Sequence, residues 1–345
     1  MYSSTGNDGR LDNRQGRYFF LIMFLMTILL FILSFRLGYY DIPTKDVLKV
    51  LFAKIYPIKH TWPDEYEVII INLRLPRIIA AMLVGAALSM AGAVYQGMFQ
   101  NPLASPDILG VSSGAGFGAA LAISMGLSYQ YVQVSAFVFG LGVVGVAYSL
   151  AGRIRYGQII SLILAGAILG SLCSAGITLL KYLADTVDRL PAITFWLMGS
   201  LASVYFDELY IAIIPMMIGL VIIVVMRWRI NVLTLGDEEA RSLGINPRNI
   251  RLLVITGATL LSASAVCIAG IIGWIGLIVP HIIRYFTGPE YSRLIPGCLL
   301  GGAFFLLVVD NLARTLSTME IPLGVLIAIV GAPFLLNLII QEREW

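Results

Sequence analysis

The sequence predicts an all-α, polytopic membrane protein of about ten transmembrane helices, and three observations carry that expectation. Of the 345 residues, 59% are apolar and only 12% charged, against about half and about a quarter in soluble domains. The mean hydropathy is +0.88. The apolar residues fall into runs of about 17 to 25, each long enough to cross the hydrocarbon core as a helix, separated by short segments that hold most of the charge and proline.

In chain order the expected spans are 18–38, 76–97, 107–127, 132–152, 158–181, 207–229, 250–270, 271–286, 294–313 and 321–340. The first follows Arg10, Arg14 and Arg17 in the manner of a signal peptide, yet it is too long for an h-region and no small-x-small site follows. It is therefore expected to stay as a span. The second starts at Pro76 in "RLPR", between Arg74 and Arg77, and stops at Gln100-Asn101-Pro102, because a residue before proline is pushed out of the helical region. Ser105, Pro106 and Asp107 then supply an N-cap, a first-turn proline and an acid beside the positive helix end, which predicts a sharp turn into the third span. The eighth span is short and interrupted by Pro280 in "GWIGLIVPHIIRYF", so a kink or half-helix is expected there.

Between the fifth and sixth spans, "YLADTVDRLPAITFWLMGSLASVYF" is apolar enough for a short helix on or in the membrane surface, with Trp196 suited to the interface. Glycines recur at four-residue spacing at Gly110, Gly114 and Gly118, at Gly166 and Gly170, and at Gly297 and Gly301. That spacing lets helix backbones approach closely.

An even number of spans puts both termini on one side. With the N-terminus inside, the cytoplasmic segments hold thirteen of the 23 basic residues and nine of the 20 acidic ones, while all five lysines fall outside. The inside is then net positive and the outside slightly negative, as the positive-inside rule requires. The domain plan is a cytoplasmic tail at 1–17, a ten-helix domain at 18–340 and a cytoplasmic C-terminus at 341–345.

Several function classes lose their footing. Cys173, Cys267 and Cys298 lie unpaired inside apolar runs and read as small buried hydrophobes. His60 and His281 have no ligand partners at metal-binding spacing. Nucleic acid is not an expected partner, and membrane lipid is. Asp310 is the nearest thing to an intramembrane acid, and Arg314 follows on the same helix face where the two can pair. A proton-coupled or other ion-gradient-driven secondary transporter, the alternative of another class, therefore lacks its usual equipment. No G-x-x-x-x-G-K-[ST] occurs, so any ATP would be used by another subunit.

Four stretches, "NLRLPRIIAAMLVGAALSMAGAVYQGMFQNPLASPDILGVSSGAG" (72–116), "LTLGDEEARSLGIN" (233–246), "GLIVPHIIRYFTGP" (276–289) and "DNLARTLSTMEIPLGVLIAIVGAPFLL" (310–336), carry a resemblance over nearly the whole chain. The sequence resembles the FecCD-type permeases of iron-siderophore, haem and cobalamin ABC importers, the type II importers. The resemblance implies ten helices per subunit, with spans two to five and seven to ten as inverted repeats. It also implies a dimer of permease subunits, a homodimer being the simpler form, on two cytoplasmic ATPases fed by an extracytoplasmic binding protein. No cofactor is expected in this chain; ATP and Mg belong to the ATPase.

Residue roles follow from the same resemblance. Gly236, Asp237, Glu238, Glu239, Ala240, Arg241, Leu243 and Gly244 would form the element that docks on the ATPase, and their charge order and terminal glycine suit a short capped helix with Ala240 and Leu243 on one face. Arg74, Arg77 and Arg314 would meet acids of the binding protein on the outer face, where exposed opposite charges steer docking. Asn101 and Leu103 match a cytoplasmic constriction. Gln158, Ile159 and Ile160 match a second one, although "YGQIIS" lacks the small hydroxyl residues usual there. The expected function is a non-enzymatic permease subunit in the cytoplasmic membrane that translocates an iron-siderophore or related metal chelate, with cobalamin, haem or molybdate as alternatives.

Overall fold

The computed structural model describes residues 13–38, 40–54, 56–57, 59–153, 157–317 and 319–341. Most of the expected N-terminal tail and residues 342–345 of the expected C-terminal segment lie outside the described residues. Among the described residues there is no strand. Thirteen helices follow one another: α1 (Asn13–Ser34), α2 (Thr44–Ala53), α3 (Asp64–Phe99), α4 (Val111–Ser124), α5 (Tyr129–Ala151), α6 (Gln158–Leu183), α7 (Arg189–Met198), α8 (Phe206–Leu233), α9 (Asp237–Ser242), α10 (Pro247–Ala269), α11 (Ile275–Thr287), α12 (Tyr291–Thr315) and α13 (Leu323–Gln341). Seven of them, α1, α3, α5, α6, α8, α10 and α12, are long and apolar enough to cross a membrane. The shorter apolar helices α4, α11 and α13 complete a set that matches the ten expected spans in order.

Burial sorts the bundle. In their most apolar windows, 83% of α3 and 78% of α10 is buried inside the chain, against 6% of α1. The first two are the central posts and α1 is a peripheral helix. α3 and α10 open the two halves of the fold and run in opposite directions, and each is followed by a break and then a short helix, α4 or α11. That order is the one an inverted repeat would leave. The posts meet through a 3.0 Å hydrogen bond between the Tyr95 and Thr259 hydroxyls.

Glycine sets how close the helices come. A Cβ on Gly85 would fall on the Gly302 backbone, and one on Gly92 on the Gly276 backbone. α3 thus touches α12 and α11 main chain to main chain, which side chains larger than hydrogen would forbid. The expected spacers behave the same way: a Cβ on Gly114 would stand 2.9 Å from the Phe139 carbonyl, and one on Gly118 2.5 Å from that of Ser135, both in α5.

Three expectations are corrected. Pro76 does not start the second span. α3 begins at Asp64, where Asp64, Glu65 and Glu67 fill an acidic first turn, and it passes Pro76 through a π-helical turn at Val68–Arg74. The widened turn displaces the carbonyl that a proline ring would otherwise strike. The third span is shorter than expected, because Pro106–Leu109 forms a single 3-10 turn and Gly110, at φ +80°, separates it from α4. Ser105 makes no capping hydrogen bond there. Pro280 is carried inside α11 rather than breaking it. At 13 residues α11 is still a half-helix, about 20 Å long, preceded by Trp274 at φ +69°. The short helix expected between spans five and six is α7.

Candidate functional site

The candidate residues gather at opposite ends of the bundle. At the first end, α3 and α12 are pinned by a buried charge cluster. Asp310 is fully buried; its Oδ1 accepts from Arg77 Nε at 2.9 Å and its Oδ2 lies 3.1 Å from Arg314 Nε. Arg77 also donates through Nη1 to Glu320 Oε1 at 2.6 Å. Arg314 donates to the carbonyls of Leu37, at 3.1 Å, and Ser34, at 3.3 Å, and to the Asn311 side chain. The Arg74 guanidinium donates to the carbonyls of Phe35 and Tyr40. A carboxylate removed from water needs such partners, because an uncompensated buried charge is far costlier than the pair.

The Asp310–Arg314 pair is thus present as the four-residue spacing implied. The expected exposure of Arg74, Arg77 and Arg314 is corrected: they are only 6%, 8% and 9% exposed. The reason is the extended α3, which sets Arg74 and Arg77 inside a helix rather than at its mouth. They line a cavity of about 400 Å3 with Tyr40, Tyr205 and Glu320. Three arginines and one carboxylate, Glu320, line it, so its balance is positive. Glu320 and Ala202 also line a neighbouring cavity of about 550 Å3 that includes Tyr129, Phe195 and Trp196. The carboxylate Glu320 stands between a basic chamber and an aromatic one. Sequence reasoning missed it, since 243 residues separate it from Arg77.

At the second end, α3 closes with Gln100 in the left-handed conformation, φ 50°. Gln100 N–H donates to Gly97 O and Asn101 N–H to Gln96 O, the two bonds of a Schellman motif. Asn101 then accepts the Leu103 N–H on its side chain at 2.9 Å, an Asx turn that fixes the N-P-L loop. Asn101 and Leu103 are exposed. Asn101 lines a cavity with Gln96, Gln100, Arg284 and Tyr291, in which Arg284 donates to Gln96 Oε1 at 2.8 Å. Gln158 opens α6, Ile159 lines a different cavity beside Met98 and Phe99, and Ile160 is 57% exposed on the outside of the chain. The two expected constrictions therefore sit at one end of the bundle but do not share a cavity.

The stretch from Gly236 to Gly244 forms the expected short helix, α9. Its acids Asp237, Glu238 and Glu239 fill the first turn and Arg241 the last, the order the helix dipole favours. Gly244, at φ +76°, donates to Arg241 O, and Ile245 N–H to Ala240 O, a second Schellman end. Ala240 and Leu243 do not share an environment, which corrects the expectation. Ala240 is fully buried, while Leu243, past the helical turn, is 60% exposed.

A residue the sequence did not flag fixes this helix. Arg251 in α10 reaches Asp237 with both terminal nitrogens, one of them at 2.9 Å. That fork-on-carboxylate contact is directional as well as electrostatic. It holds the Asp237 carboxyl below its ordinary pKa. α10 itself starts on Asn246, whose side chain accepts the N–H groups of Arg248 and Asn249, followed by Pro247 in the first position.

Comparison with known proteins fits this architecture. A molybdate import system permease protein from Haemophilus influenzae is 40% identical over 315 residues, 90% of this chain and 93% of its own. A hemin transport system permease protein from Yersinia pestis is 39% identical over 79% of this chain and 84% of its own. A solved structure described as an inward-facing metal-chelate type ABC transporter superposes with a TM-score of 0.84 at 36% identity, covering 94% of this chain and 99% of that one. The model of the FecCD transport family matches residues 26–341. With ten apolar helices in the matching arrangement, this multi-pass membrane chain belongs to the FecCD transport family.

Proposed function

We propose that the chain is the membrane-spanning permease subunit of an ATP-driven importer, paired with a second copy of itself, and that its cargo is a metal chelate handed over by a binding protein. The observation that carries this reading is the superposition, at TM-score 0.84, on a metal-chelate type transporter over nearly its full length. A second cargo, molybdate, is favoured by the relative that is 40% identical over 90% of this chain.

The roles below follow from this reading. The short-helix end faces the cytoplasm, in keeping with the charge count, and α9 seats on an ATPase subunit that binds ATP and Mg. Movement there passes through the Asp237–Arg251 fork into α10, a central post. The positively biased chamber at the other end receives acidic side chains of the binding protein. Ile160 lies on the outside of a single chain, which supports a path between two copies with a constriction at Gln158–Ile160 completed by the facing subunit. No covalent chemistry falls to this chain.

The test is reconstitution with an ATPase subunit of an importer of this family and a chelate-binding protein, in liposomes loaded with and without ATP. The expected outcome is uptake of a ferric chelate that depends on ATP and is lost when 237–244 is scrambled. Uptake driven by an ion gradient without any ATPase, or undiminished by the scramble, would overturn the reading. Molybdate in place of the chelate decides the cargo.

A further inference from the structure

Asp107 lies deeper in the bundle than its place in a connecting turn suggests. A Cβ on Gly276 would stand 2.9 Å from Pro106 Cδ, 3.1 Å from the Leu88 carbonyl and 3.4 Å from Gly92 Cα. A Cβ on Gly166 would stand 2.7 Å from the Ile108 carbonyl. Leu88 and Gly92 lie about 10–16 Å of helix from the end of α3 at Phe99, and Gly166 about 12 Å from the start of α6 at Gln158. The turn Pro106–Leu109 has therefore re-entered the bundle to near the middle of a hydrocarbon core about 30 Å thick.

At that depth the Asp107 carboxylate accepts the Ser112 hydroxyl, and among the described residues no cation pairs with it. The residue is nonetheless exposed on a single chain. Its charge acts on the fully buried Tyr95 hydroxyl of the central post, which puts it in a recess of the bundle rather than on an outer rim. Of the helices packed against the turn, α4 and α5 hold no charged residue and α6 holds only Lys181, in its last turn. Beside Gly166 and Gly170, on which the turn is seated, α6 exposes Ala167, Ser171, Ser174 and Thr178. An ionisable side chain at the bilayer centre is too costly to leave in lipid, and it marks a water-filled route for polar solutes.

We propose that Asp107 is a selectivity residue of the translocation path, facing the aqueous lumen between two copies and favouring a cargo with a cationic group over an anion. The proposal rests on the importer reading above and adds the class of cargo, a chelate bearing a protonated amine rather than an oxyanion such as molybdate. An unpaired carboxylate in a narrow, low-dielectric passage attracts the first and repels the second.

Two measurements test it. In protein lacking Cys173, with Cys267 and Cys298 buried, Asp107→Cys in nanodiscs is treated with a water-soluble cationic thiol reagent. It should react faster than Leu25→Cys on the lipid-facing α1. In liposomes with ATPase and binding protein, uptake of a ferric trihydroxamate with a free ammonium group is compared with that of its succinylated, anionic form. Asp107→Asn should lower the ratio of cationic to anionic uptake about tenfold, whereas Asp107→Glu should keep it. Because the ratio is compared between variants, the preference of the binding protein cancels. No faster reaction at 107 than at 25, or a ratio unchanged in Asp107→Asn, overturns the proposal. Absence of ATP-dependent uptake of both forms counts against the importer reading instead, and thiol reactivity then decides where Asp107 faces.

Discussion

Asp310 is the residue on which the first end of the molecule turns, because it is fully buried and compensated by both Arg77 and Arg314. Asp310→Asn keeps the shape and removes the charge, leaving the two cations facing each other. The expected loss is about 3–5 kcal/mol, read as a lower unfolding temperature in detergent. Glu320 is different. It is half-exposed, at 41%, and Glu320→Gln leaves the Arg77–Asp310 contact in place. That substitution should tighten docking of the binding protein severalfold by freeing one face of Arg77, measured as Kd by surface resonance. A weaker complex would show that Glu320 is part of the docking face.

Arg251 and Asp237 make the corresponding pair at the second end. Arg251→Ala should leave the protein in the membrane but uncouple ATP hydrolysis from uptake, seen as ATPase activity without transport. Because the Asp237 pKa is lowered by the pair, the contribution of this contact is full above the ordinary carboxylate range. It is lost as pH falls through the lowered value, so coupling should hold at neutral pH and fail only in acid. Of these groups, sequence spacing exposed only Asp310–Arg314, since four residues on one helix is a local relation. Arg77–Glu320 spans 243 residues, and Asp237–Arg251, 14 residues apart, joins two different helices, so neither shows as a spacing on one helix.

Among the elements, the apolar runs, the N-P-L turn, α7 and α9 were all legible, because periodicity, proline and capping residues act within a few positions. The entry to α3 was not. A proline flanked by arginines resembles a helix start, and only a π-helical turn, which has no simple composition, lets the helix continue through it. The glycines were legible as spacers at Gly114 and Gly118. The tighter Gly85–Gly302 and Gly92–Gly276 contacts were hidden, because each needs knowledge of which helices meet. Gly92→Val should separate α3 from α11 and cost about 1–3 kcal/mol of overpacking, visible as a lower unfolding temperature, whereas Gly142→Val, which has open space around it, should be neutral.

For the whole molecule, burial is graded from α3 and α10 outward, and the exposed apolar face of α6, with Ile160, Leu164, Ile168 and Leu172, needs either lipid or a second subunit. Ile160→Cys in a background without Cys173 should form an oxidant-dependent cross-link between two copies. Its failure to do so, with the protein intact, would move the subunit contact elsewhere.

The Arg77–Asp310 contact also has a history within each molecule. Its members are 233 residues apart, so at about 5–20 residues per second roughly 12–47 s of synthesis separate them. During that interval α3 holds Arg77 in or near the bilayer with no acid from α12 to receive it, whereas the acceptors of Arg74, the carbonyls of Phe35 and Tyr40, are already made. The ribosome therefore delivers a helix that is a poor resident of lipid until its last partners arrive, and insertion machinery must shelter it. Nascent chains arrested before residue 310 should remain cross-linkable to the translocon through α3, while α1, which faces lipid almost all round, should already have left.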